Sequence, residues 1–158
     1  MKNPVGAAIA VVMLIAATVL QEGVLNRYTL LGAQANLPVV VVLCVSLVSR
    51  PAAGGAFGLL SGILTGGLSG ATMMHYAVSR ILGGYAIATR GHEEIDGRTA
   101  VIWVAAGTAF CQGILILLAP PNPLLPAVAA TMLSAVYNGV AAIPVFALTA
   151  RMFQNRVV

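Results

Sequence analysis

Long apolar stretches alternate with short polar or proline-bearing breaks along the whole chain. About 20 apolar residues are needed to cross hydrocarbon as a helix. Taken as such helices, the stretches cover residues 5–21, 35–49, 53–69, 71–89, 99–119 and 125–150. The first resembles the apolar part of a secretory signal peptide. With further spans behind it, it reads as an uncleaved helix ending at Gln21 and Glu22. Residues 22–34 are mixed, with Gly23, Asn26, Arg27 and Tyr28, and belong at the outer interface. The β-branched run after Leu37-Pro38-Val39 would be a strand in water. In lipid it must be a helix, because an open strand cannot satisfy its own backbone. From Pro38 to Ser49 that helix rises only about 18 Å, against a hydrocarbon core of roughly 30 Å. Either it starts near Tyr28 and kinks at Pro38, or it is short. Arg50-Pro51 closes it, Pro120-Pro121-Asn122-Pro123 makes a rigid turn before the last span, and Pro144 predicts a kink within that span.

Within the third stretch Gly54, Gly58, Gly62, Gly66 and Gly70 recur at every fourth position. On a helix this spacing lays a groove without side chains along one face. The groove drifts by roughly 40° per step, so a neighbour following it crosses at an angle. Each glycine costs about 1 kcal/mol relative to alanine in a water-exposed helix. A bilayer keeps such a segment helical because unpaired amides in hydrocarbon cost several kcal/mol. The groove is expected to pack a helix, and because its length exceeds what one short intramolecular neighbour needs, the exposed part of it, or a neighbouring small-residue face, is expected to hold a partner's spanning helix.

Composition narrows the class. Of 158 residues, 59% are hydrophobic and only 8% charged, and the mean hydropathy is +0.97, which excludes an ordinary soluble domain. The expected fold is an all-α integral membrane protein in a single domain. Cys44 and Cys111 lie within apolar runs and read as small hydrophobes. The net charge of +4 does not imply nucleic-acid binding, since the basic residues are scattered singly at the ends of apolar runs. With six spans, Lys2, Arg50, Arg90, Arg98, Arg151 and Arg156 share one side and Arg27 faces the other. The positive-inside rule makes the first side cytoplasmic, with both termini there.

Arg80 is the exception. It lies ten residues before Arg90, about 15 Å deeper, too far for an easy snorkel. Intramembrane charge costs about 2.5–3.5 kcal/mol on insertion scales and usually faces protein or water. Arg80 therefore marks a partner site or a substrate or proton path, or else is held by backbone carbonyls and lipid phosphate. His75, Tyr76 and Ser79 lie on nearby positions of the same helix, and Glu22 is the acid to consider, at the outer surface. Thr108, Gln112, Thr131, Ser134 and Asn138 form small polar stripes at helical spacing, which usually hydrogen-bond between helices. His75 and His92 are too isolated for a metal site. His92 with Glu93, Glu94 and Asp96 reads as a solvated loop. No nucleophile has a base at useful spacing and no phosphate-binding loop is present, so no enzymatic activity, cofactor or metal is expected.

Certain residues carry a resemblance. They are Asn36-Leu37-Pro38, the run from Ser49-Arg50-Pro51 through Gly62, Leu68-Ser69-Gly70, Gly83-Gly84-Tyr85, and Tyr137-Asn138 with Pro144, Phe146 and Arg151. In their order along the chain they are similar to the rod shape-determining protein MreD family. Where that family often has an aspartate in the third helix this chain has Gly66, so no role of that acid carries over. The resemblance implies a bacterial inner-membrane, non-enzymatic scaffold of the cell-wall elongation complex. It would bind MreC and act through it with the RodA glycosyltransferase, a class B penicillin-binding protein and MreB in cell shape and peptidoglycan synthesis. It also implies a six-helix bundle resembling the S components of energy-coupling-factor transporters. The alternative function is correspondingly an S-component-like solute-binding protein, with His75, Arg80, Gln112 and Asn138 lining a pocket for an anionic or polar small molecule.

Overall fold

The computed structural model describes residues 4–70, 72–90 and 95–154. Lys2, Arg156 and the His92-Glu93-Glu94 part of the polar loop lie outside the described residues. Among the described residues six α-helices follow one another: α1 (Pro4–Gly23), α2 (Leu37–Leu47), α3 (Pro51–Ser69), α4 (Met73–Ala88), α5 (Gly97–Leu118) and α6 (Leu124–Gln154). The described residues contain no strand. A 3₁₀ turn (Leu25–Arg27) follows α1. Among the described residues four helices are long and apolar enough to cross a membrane: α1 with that turn, α3, α5 and α6.

The second apolar stretch takes the short form. α2 has 11 residues and rises about 16 Å. It survives because lipid never meets it: every residue from Pro38 to Leu47 is buried. One side packs with α1 and α3 through Val41, Val42 and Val45 against Leu14 and Phe57. The other packs with α4, α5 and α6 through Val40, Leu43 and Leu47 against Ile87, Val104 and Phe146. A helix apolar all round is the kind that fills the middle of a bundle.

A buried helix start must have its amides paired, and here each is accounted for. The Asn36 N–H donates to Asn138 Oδ1 on α6 (2.7 Å), and the Leu37 N–H donates to Gln21 Oε1 on α1 (3.0 Å). Pro38 has no N–H, and the Val39 N–H donates to the Asn36 side chain (3.3 Å). Gln21 is fixed in turn by donating to Asn26, which donates to Glu22.

The other ends follow local rules. Pro51 opens α3 at its first turn, and Gly70 ends it in the left-handed region at φ +67°. Asp96 caps α5 by accepting from the Thr99 N–H at 2.8 Å. α6 continues as helix through Pro144, so the expected kink does not interrupt it. The helices run alternately between two ends of the bundle. Arg50, Arg90, Arg98 and Arg151 lie at one end and Arg27 at the other. At the first end the Arg90 guanidinium carbon stands 5.3 Å from the centre of the Trp103 ring.

Candidate functional site

The glycine groove is occupied. α4 turns back at Gly70 and runs antiparallel along α3. A Cβ placed on Gly66 would meet the backbone of Met73, one on Gly62 that of Ala77, one on Gly58 that of Arg80, and one on Gly54 the Gly84 carbonyl and Ala88 Cβ. Four rungs thus accept α4 at backbone contact. Gly70 meets nothing within 4 Å and serves the turn. The expectation of groove left open for a partner helix is therefore corrected. α4 presents small residues or bare backbone at the matching spacing, and one intramolecular helix fills the ladder from Gly54 to Gly66.

This close approach determines the surroundings of Arg80. With its backbone against Gly58, its side chain reaches along α3, where Nη1 donates to the Ser61 carbonyl (3.0 Å), the Ser61 hydroxyl (2.7 Å) and the Thr65 hydroxyl (2.5 Å). The guanidinium carbon is 5.4 Å from the Tyr76 ring centre, a cation–π contact. Arg80 is 1% exposed, and its Nε and Nη2 have no hydrogen-bond partner among the described residues. No Arg80–Glu22 ion pair forms; Glu22 instead accepts from Asn26. Ser61 and Thr65 are not among the polar positions singled out from the sequence; their four-residue spacing beside Gly62 and Gly66 is the signal they carry, and only the packing shows that they hold a cation. On the opposite side of α4, the Ser79 hydroxyl donates to the Cys111 carbonyl at 2.7 Å, and Gly83 leaves room for the Cys111 sulfur.

A cavity of about 530 Å³ lies at the Arg27 end. Its walls are the non-helical segment before α2, the start of α4, the last turns of α5 and the first turns of α6. Because α2 is short, the chain reaches it through irregular backbone that lines the cavity and passes from exposed at Leu31 to buried at Ala33. Such backbone is tolerated at membrane depth only where protein covers it or it borders a cavity. His75 and Gln112 line the cavity, whereas Arg80 and Asn138 do not. Tyr76 belongs to both places, as a cavity wall and as the ring beneath the Arg80 guanidinium. Asn138 is fully buried, accepting from Asn36 and donating to Thr108 on α5 (3.1 Å), so it joins three elements instead of facing a ligand. Gln34, Asn36, Thr72, Thr131 and Ser134 complete most of the polar wall. No three His, Cys, Asp or Glu side chains come together to hold a metal among the described residues.

The fold and site define the class: an all-helical membrane protein with a centrally buried short helix, a tightly packed glycine hairpin and a cavity at one end. Compared with known proteins, the chain matches no protein-family model, no curated protein sequence and no solved structure.

Proposed function

We propose that the protein is a non-enzymatic scaffold of the MreD kind in the bacterial inner membrane, with both ends of the chain in the cytoplasm, binding MreC and through it the elongation machinery. The observation that carries this reading is that nearly all of the described residues lie in the helices and their connections, so for this part of the chain the lipid-facing sides and the two ends of the bundle are the surfaces on offer to a partner. Since α4 fills the ladder, the MreC spanning helix is received on an outer face. Outward apolar positions are available on α1 (Val12), α3 (Ile63) and α6 (Met132). Single cysteines at these three positions, crosslinked in membranes to a cysteine in the MreC spanning helix, test the reading. One face is expected to give an adduct. No adduct from any of the three would remove the scaffold reading.

Small-solute binding of the S-component kind is favoured by a different observation, the cavity, of which His75 and Gln112 form part. Its volume falls within the range of about 300–1,000 Å³ usual for small-molecule sites.

A further inference from the structure

The lining of this cavity contains no aspartate, glutamate, lysine or arginine. Its polar groups are hydroxyls, carboxamides and one imidazole. Hydroxyls and carboxamides both donate and accept hydrogen bonds and carry no fixed sign. The nearest fixed charge, Arg80, stands outside the lining against the Tyr76 ring with its Nη1 held by Ser61 and Thr65, so a charged ligand would meet no ionic partner in the wall itself, which is costly in a partly desolvated site. A ligand bearing many hydroxyls suits this wall, because each of its groups is as ambivalent as the ones it meets.

One further observation favours binding: the irregular wall is held in place. Residues 30–33 form a tight turn, with Leu30 and Ala33 exchanging backbone hydrogen bonds and Leu31 and Gly32 both at positive φ. Tyr137 Oη donates to the Leu30 carbonyl (3.2 Å), and Asn138 holds the Asn36 amide. A wall fixed at both ends loses little freedom on binding.

We infer that the cavity binds an uncharged, polyhydroxylated ligand, either a free sugar or the sugar headgroup of a lipid, with Gln112 and Ser134 among the hydrogen-bonding groups. This deepens the solute-binding reading by naming the ligand class, and it is independent of the MreC contact.

The full chain in phosphatidylcholine nanodiscs, free of sugar detergents, is unfolded by heat and followed through Trp103. Maltose, trehalose and lactose are added at about 10 mM, and a galactosyl diacylglycerol is incorporated in a parallel set. Citrate and spermidine serve as charged probes. At least one free sugar, or the galactolipid, is expected to raise the unfolding temperature by about 2–4 °C. A free-sugar response alone assigns a soluble source; a galactolipid response alone assigns a membrane source. The shift should be lost in Gln112→Leu and Ser134→Leu, each compared with its own baseline, and kept in Val140→Leu on the outer face of α6. A response to citrate or spermidine with the sugars silent would overturn the ligand class while leaving solute binding in place. No response to any probe would overturn both, and an equal sugar response in the two cavity variants would overturn the site.

Discussion

Leu31 adopts φ +53° and is 84% exposed, at the first of two positive-φ positions in the 30–33 turn. A side chain with a Cβ is strained there, whereas asparagine followed by glycine is the preferred pair for this kind of turn. Leu31→Asn should therefore stabilise the protein by about 0.5–1 kcal/mol, measured by unfolding in detergent. Asn138→Ala should act in the opposite direction. It leaves the buried Asn36 amide and the Thr108 hydroxyl without the partner they have now, and a loss of about 1–3 kcal/mol is expected in the same assay. Polar residues in the apolar stretches were easy to find in the sequence. Their roles were not, because Asn138 and Gln112 look alike in a helical pattern. What separates them is depth: Asn138 meets the start of a short central helix, whereas Gln112 lies beside the space near that start.

At the level of helices, the glycine spacing gave the groove but not its occupant. The occupant was written in α4, where Ala77, Gly84 and Ala88 leave the backbone accessible. Gly58 and Gly55, three residues apart on α3, should respond with opposite signs. A Cβ on Gly58 would run into the Arg80 backbone, so Gly58→Ala should cost about 1–3 kcal/mol. On Gly55 its nearest neighbours would be at an ordinary 3.7 Å, so Gly55→Ala should gain about 0.5–1 kcal/mol from helix propensity. Paired denaturation curves decide this. The cap of α5 gives a pH dependence. The hydrogen bonds from Thr99 hold the exposed Asp96 carboxyl below its ordinary value. A carboxylate depressed on folding stabilises above its unfolded pKa, near 3.9, and that contribution is lost as pH falls through the folded value. The unfolding temperature should therefore fall less between pH 7 and pH 3 in Asp96→Asn, which caps without titrating, than in the parent.

For the molecule as a whole, the helical class and the membrane setting followed from the apolar stretches alone, as did the positions of the helices to within a few residues. The cavity did not, because it arises from how α2 is enclosed. Its 11 residues could have been extended back towards Tyr28, and only the pairing of its first amides by α1 and α6 fixes the start at Leu37. The way α3 holds Arg80 also bears on biogenesis. Alone in hydrocarbon, α4 would carry an arginine costing about 2.5–3.5 kcal/mol at the bilayer centre, and the hydroxyls that receive it belong to the preceding helix. The translocon must then release α3 and α4 as a couple, with the later helix waiting on the earlier one. In glycosylation-mapped insertion assays, α4 presented singly should fail to integrate where the α3–α4 hairpin succeeds, and Ser61→Ala with Thr65→Ala should weaken that success.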